Sequence, residues 1–215
     1  MIRALIPAKA LIEAKGRLAT ALTELERRRL ALAMLEDVVT ALKAAPSIDN
    51  VSVVSPDEEV RTLAAKLGAT PIAESANVRG INQALNRAVS VMSPHPDALV
   101  VVLADVPEVD SGEVEQVLAA LPERGIAICP SDDNGTTLLA VRPPDVIPFR
   151  FGDKSFSLHK REAAALGIAT EVLRLPSLSH DIDSAEDLHA LAARGGNTVT
   201  HRLIEELELA EKVTP

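Results

Sequence analysis

Ala98-Leu-Val-Val-Val-Leu-Ala104, closed by Asp105, is the stretch on which the fold turns. An uninterrupted apolar run of this length reads as a β-strand buried on both faces, because a strand with one solvated face would alternate apolar and polar residues. Such strands lie in the middle of parallel sheets covered by helices on both sides. A carboxylate at the C-terminal end of one emerges at the sheet edge, where open α/β folds bind ligands. Asp105 is therefore a candidate site residue on position alone.

A second acidic element is His180-Asp-Ile-Asp-Ser184. In an extended segment, residues two apart point to the same side, so Asp181 and Asp183 can face one point together. Three hard carboxylate oxygens at a sheet edge suit Mg²⁺, which favours carboxylates plus substrate phosphates. The same acids have a plainer reading as helix punctuation. Ser184-Ala-Glu-Asp187 resembles a capping box, and Asp183 just ahead of it would favour the helix dipole.

Working outward, strand and helix signals alternate along the whole chain. Met1 to Ile6 reads as a strand, and Thr23-Glu-Leu-Glu26 is a capping box opening a long helix through about Ala44. Strands follow at Val51 to Val54 and Thr70 to Ala73, separated by a helix from Asp57 to Leu67 that Gly68 stops. Arg79 to Met92 is helical, the central strand comes next, and Asp110-Ser-Gly-Glu113 caps a helix to Leu121. Ile126 to Cys129 and Thr137 to Val141 are strands, Ser155 to Leu166 a helix, Glu171 to Leu175 a strand, and helices start at Ala185 and near Thr198. Alternating βα units with short connections predict an α/β three-layer sandwich with a mostly parallel sheet, one domain over residues 1–215. Arg142 to Lys154, with three prolines and Gly152, is the longest irregular piece, and such loops tend to carry function.

Composition narrows the partners. With three Phe and no Trp or Tyr, the aromatic platforms of single-stranded nucleic-acid binders are missing, and a net charge of -9 argues against a basic footprint for nucleic acid. The single Cys129 has no disulfide or zinc partner by spacing. The apolar start is too short for a signal peptide or membrane span before Lys9 and Glu13 intervene, so a cytoplasmic enzyme is expected.

Neither the dinucleotide glycine fingerprint nor the P-loop pattern occurs. The first strand is followed instead by Ile6-Pro-Ala-Lys9 and Ala14-Lys-Gly-Arg17. Lys9, Lys15 and Arg17 at a strand's C-terminal end could hold a triphosphate, or could form an ordinary solvated loop. Gly80-Ile-Asn82 has a similar double reading: Asn82 offers both donor and acceptor to a nucleobase edge, while Asn77 and Gly80 serve equally as cap residues. Pro130-Ser-Asp-Asp-Asn-Gly-Thr-Thr137 reads as an anion site or as a plain turn.

Taken together, IPAKALIEAKGRLA (6–19), GINQAL (80–85), LADVP (103–107), PSDDNGTTLLAVRPPDVIPFRFGDKSF (130–156) and HDIDSAEDL (180–188) resemble one family. It is the phosphoenolpyruvate or 2-phospho-L-lactate guanylyltransferases of deazaflavin coenzyme F-420 biosynthesis, and the resemblance covers nearly the whole chain. It implies the nucleotidyltransferase fold, related to GT-A glycosyltransferases, with Rossmann-like layering. It also implies metal at Asp105, Asp181 and Asp183, and GTP phosphates on Lys9 and Lys15. Pro7, Gly80 and Asn82 would lie near the nucleotide, and Thr137, Gly152 and Ser155 around a phosphorylated three-carbon acceptor. Val106 and Glu108 depart from the more usual Asp-Leu-Pro-Leu.

On that reading Asp105, Lys9 and Lys15 are the catalytic groups. The attacking atom is a phosphate oxygen, already largely dianionic at neutral pH since its second pKa is about 6, so no general base is required. His159 and His180 are then expected to be structural or rim residues. The bacterial look of FRFGDKSF favours phosphoenolpyruvate over 2-phospho-L-lactate, and a homodimer is compatible with the sequence. The alternatives are a nucleotidyltransferase with another nucleotide or acceptor, and a non-catalytic nucleotide-binding protein.

Overall fold

The Ala98–Val102 run forms the fourth strand of a seven-stranded sheet, and its residues are fully buried as the apolar pattern demands. The protein is described here from a computed structural model covering residues 1–74 and 80–212. In chain order the elements are β1 (Ile2–Pro7), α1 (Glu24–Ala44), β2 (Asn50–Ser55), α2 (Glu58–Lys66), β3 (Thr70–Ala73), α3 (Ile81–Val91) and β4 (Ala98–Val102). They continue with α4 (Ser111–Ala120), β5 (Gly125–Pro130), β6 (Thr136–Arg142), α5 (Ser155–Ala165), β7 (Ala169–Val172), α6 (Ala185–Arg194), α7 (Val199–Glu206) and the short α8 (Leu209–Lys212).

Caps mark the helix starts as their sequences require. Thr23 and Glu26 form a reciprocal capping box on α1, as do Ser184 and Asp187 on α6, so orphan N–H groups of the first turn are satisfied by side chains. Asp110 caps α4 through the Glu113 N–H. The expected cap Asn77 and the expected helix start Arg79 lie outside the described residues, while Gly80, the other expected cap, is the N-cap of α3.

The sheet order is β3-β2-β1-β4-β6-β5-β7. All pairings are parallel except those of β6, which runs antiparallel to both β4 and β5. The expected mostly parallel sheet is therefore correct, with one reversed strand inside it. The β4 strand stops two residues short of the apolar run, and the last strand lies at Ala169–Val172 rather than Glu171–Leu175. Parallel pairing with β5 fixes that position, and the chain then turns at Pro176.

Side chains alternate across the sheet into two cores. One face packs Ala98, Val100 and Val102 with Leu35, Val38 and Leu42 of α1, Val60 of α2 and Val114 and Val117 of α4. The other packs Leu99 and Val101 with Ala84, Leu85 and Ala88 of α3, Phe149 and Phe151 of the loop before α5, and Ala163 of α5. A third cluster joins the start of α1 to α6 and α7. These are the three layers expected from alternating βα units. No helix among the described residues is long and apolar enough to cross a membrane.

Candidate active site

From β1 the chain passes to β2 on one side, whereas β4 lies on the other, so the loops after β1 and β4 part at the sheet's C-terminal edge. That is the topological switch point of an open α/β sheet. A cavity of about 680 Å³ opens there, within the range of small-molecule sites. The loop after β1, the Leu103–Asp105 turn, the β5–β6 hairpin, the Phe151–Ser155 loop and the segment before α6 all line it.

Asp105 follows β4, and its carbonyl accepts the Ile182 N–H at 3.0 Å, which ties the two acidic segments together. Asp105, Asp181 and Asp183 thereby bring one carboxylate oxygen each to within 4.8 Å of one another. Lys15 enters the same group, its Nζ donating to Asp105 Oδ2 at 2.7 Å and to Asp183 Oδ1 at 3.0 Å. Burial opposes its charge, but Asp105 and Asp183 outweigh that and raise its pKa. Lys15 also adopts a left-handed backbone, φ 52°, a strained conformation that tends to cluster at functional sites.

Asp181 has no such partner among the described residues. Burial, reinforced by the Asp105 charge, pushes its carboxyl up to about 6. Partial burial pushes the Asp183 carboxyl the same way, yet Lys15, Arg17 and Lys9 together pull its pKa below the usual carboxylate range. The second oxygen of Asp105 is buried with no hydrogen-bond partner among the described residues. An unpartnered carboxylate oxygen within a three-acid group is a donor set that fits a hard divalent cation. Asp183 also keeps its plainer role at a helix entrance, its N–H bonding the Asp187 carboxylate at 3.0 Å.

The β1 side carries cations and apolar surface. Lys9 is exposed and lines the cavity with Pro7, while Arg17 NH1 stands 3.9 Å from Asp183. Gly80, at φ 79°, also lines this side.

On the opposite wall, Thr137 does not itself line the cavity. Its hydroxyl is fully buried and donates to the Leu178 carbonyl at 2.5 Å, with the Cys129 carbonyl at 3.3 Å; Thr136 lines the cavity instead. A β-bulge is the physical cause. Cys129 pairs with Leu138 but Pro130 pairs with Thr136, so Thr137 is an extra residue and the side-chain alternation slips by one. Thr137 is thus turned to the Leu178 side, and Thr136 toward α5, where it meets Ser155 Oγ at 3.0 Å. Ser155 and Gly152 lie on the cavity as expected. Gly152 holds φ 127° with open space where a Cβ would point, so backbone is bare to a ligand there.

Asn82 is engaged within the protein. Its amide donates to the Phe151 carbonyl at 2.9 Å and accepts the Phe151 N–H at 2.8 Å, so both groups expected to read a base are committed to the backbone ahead of Gly152. The histidines divide. His180 pairs with Asp132 at the rim, whereas His159 is buried against Thr136, Arg150 and the edge of Phe151. Thr136 and Asn82's true partner were missed by sequence reasoning; the Pro130 at the end of β5, a residue that favours irregular pairing, is the one signal for the bulge. The departures are local: Val106 is buried in the core and Glu108 forms a forked pair with Arg194.

Comparison with known proteins bears on the fold and the family. A solved structure described as a nucleotide-diphospho-sugar transferase from Desulfovibrio desulfuricans G20 superposes with a TM-score of 0.80 over 99% of this chain and 97% of its own, at 18% identity, which speaks to the fold. The phosphoenolpyruvate guanylyltransferase of Sphaerobacter thermophilus is 42% identical over 88% of this chain and 91% of its own. The 2-phospho-L-lactate guanylyltransferase of Methanothermobacter thermautotrophicus is 34% identical over 97% and 92%. A family model described as "Guanylyl transferase CofC like" matches residues 2–214, and the chain belongs to that family of guanylyltransferases.

Proposed function

We propose that the protein transfers GMP from GTP to the phosphate of phosphoenolpyruvate, releasing pyrophosphate, as a cytoplasmic step in coenzyme F-420 biosynthesis. The observation that carries this reading is the convergence of Asp105, Asp181 and Asp183 with Lys15 in one cavity whose far wall presents Thr136, Gly152 and Ser155. Phosphoenolpyruvate is preferred because the Sphaerobacter relative, at 42% identity, carries that name. Neither nucleic acid nor membrane is proposed as a partner, in keeping with the net charge of -9. A homodimer remains part of the proposal.

In this reaction an acceptor phosphate oxygen attacks the α-phosphorus of GTP in line. A new P–O–P bridge forms, the bond from the α-phosphorus to the β-bridging oxygen breaks, and pyrophosphate leaves with its electron pair. Two polyanions must approach, so the chief task of the residues is to relieve charge rather than to move a proton. Lys9 and Arg17 are placed to draw the triphosphate onto the loop after β1. Lys15, held at the carboxylates, orders that loop against the acidic group. Asp105, Asp181 and Asp183 would hold Mg²⁺, which when bound neutralises phosphate charge and orients the reacting oxygens. Gly152 and Ser155 are proposed to receive the acceptor, with Thr136 in the part expected of Thr137.

The test mixes the protein with GTP, Mg²⁺ and either phosphoenolpyruvate or 2-phospho-L-lactate, following pyrophosphate release and the mass of the GMP adduct. An adduct from phosphoenolpyruvate is expected, and its formation should stop in excess EDTA. A dominant lactate adduct overturns the acceptor preference, no adduct from either overturns the function, and full activity in EDTA overturns the metal.

A further inference from the structure

The buried wall contains a proton count that constrains what it can recognise. His159 is fully buried, one turn along α5 from Ser155, and its Nε2 lies 2.9 Å from the Arg150 N–H. A backbone N–H only donates, so Nε2 is the bare nitrogen. Burial, aided by the Arg150 charge and opposed by Glu162, holds the imidazole down at about 4, so the ring is neutral near pH 7. Its one proton therefore sits on Nδ1, 3.2 Å from Thr136 Oγ1. The Ser155 carbonyl, which favours the protonated ring, can likewise only accept.

Neither hydroxyl of the Thr136–Ser155 pair can then give its hydrogen to the ring. Of their two hydrogens, one lies between the oxygens, 3.0 Å apart, and the other is left over. Both residues line the cavity, and no other hydrogen bond from either hydroxyl occurs among the described residues. Whichever way the pair is ordered, it presents one O–H donor and so favours an anionic oxygen over a ligand N–H.

We propose that His159 is a positioning residue for the acceptor: by turning an N–H toward Thr136 it leaves the Thr136–Ser155 pair one O–H for an anionic oxygen of the phosphorylated acid, while its Nε2 fixes the backbone leading to Gly152. This rests on the guanylyltransferase reading. It departs from the expectation that His159 is merely structural, because it fixes the donor sense of groups that touch substrate.

The test has three parts. In wild-type protein, ¹⁵N NMR of the imidazoles near pH 7 should show a buried histidine protonated at Nδ1 and bare at Nε2; the opposite tautomer at His159 overturns the inference without any variant. His159→Phe keeps a ring of similar volume and removes both bonds, and it should raise the acceptor KM at least tenfold while leaving the GTP KM within about twofold. In a Ser155→Ala background the same change should cost less than about threefold, since the two residues act through one donor. An unchanged acceptor KM, an equal rise in both KM values, or full additivity overturns it. If His159→Phe does not fold, His159→Gln, which keeps an N–H and a C=O on a flexible stem, takes its place with an intermediate acceptor KM expected and the same overturning results. Failure of the wild type to transfer GMP to either acceptor would instead remove the function reading, and this inference with it.

Discussion

The β1 side of the cavity carries its charge on Lys9 and Arg17, both exposed, whereas the β6 side keeps Thr136, Ser155 and His159 buried and bonded to one another. The difference follows the two ligands proposed. A triphosphate is a long polyanion that mobile cations can meet in many geometries at little ordering cost, and the attraction is screened by salt. A small acid offers few atoms, so its wall gains from donors fixed in direction beforehand, in surroundings where each hydrogen bond is stronger. The acidic group with Lys15 is the seam between the two walls.

The largest effect is expected at that seam. Asp183→Asn removes one proposed metal contact and one partner of Lys15, and should lower turnover by roughly 10²-fold or more, with the fold retained because the side chain is half exposed. Steady-state pyrophosphate release beside a thermal melt measures both. Wild-type turnover would detach the seam from the chemistry.

Acid separates the walls next. Between the His159 value of about 4 and the ordinary histidine value of 6.5, the unfolded chain binds a proton that the native ring refuses. Stability from this group is therefore complete above the unfolded pKa and is lost as pH falls through that window. The loss over the whole window is roughly 3 to 4 kcal/mol, since one pKa unit is about 1.4 kcal/mol. Arg150 opposes that proton and Glu162 favours it. Urea midpoints at pH 7 and pH 5 should differ in the wild type and converge in His159→Phe; an acid slope untouched by the substitution would place its origin elsewhere.

Asn82→Ala strips two bonds from the Phe151 backbone and is expected to destabilise by about 1 to 2 kcal/mol, with the acceptor KM raised and nucleotide preference unchanged. A shift in GTP over ATP selectivity would restore Asn82 to the base. The smallest change in stability belongs to Lys9→Ala: the melting temperature should stay within a few degrees while GTP use weakens. Added salt should likewise raise the GTP KM more than the acceptor KM. Equal sensitivity of both KM values to salt would erase the contrast between the walls.

Much of this was legible in the sequence, for reasons that are local. The apolar run at 98–104, the capping boxes at Thr23 and Ser184, and the two-residue spacing of Asp181 and Asp183 depend on near neighbours, and each has its expected place. What the sequence hid depends on distant pairing. A strand buried on both faces looks the same whichever way it runs, so the reversal of β6 left no mark. Thr136 and Thr137 exchange sides through a bulge opposite Cys129 and Pro130, and Asn82 meets a partner 69 residues away. Lys15 is read as a phosphate ligand from its loop, yet its carboxylate partners lie 90 and 168 residues on.

The reversed strand bears on where this chain can be cut, tagged or lengthened. Tips of hairpins are ordinarily the permissive places for such changes. Here the tip at Ser131–Gly135 sits at the ligand edge, because β6 arrives there with its beginning rather than its end. The tolerant sites should be the exposed turns at the other edge, around Glu123 and Arg124 before β5 and around Gly167 before β7. A fluorophore or fusion partner placed there leaves the cavity clear, and one placed at the hairpin tip blocks it.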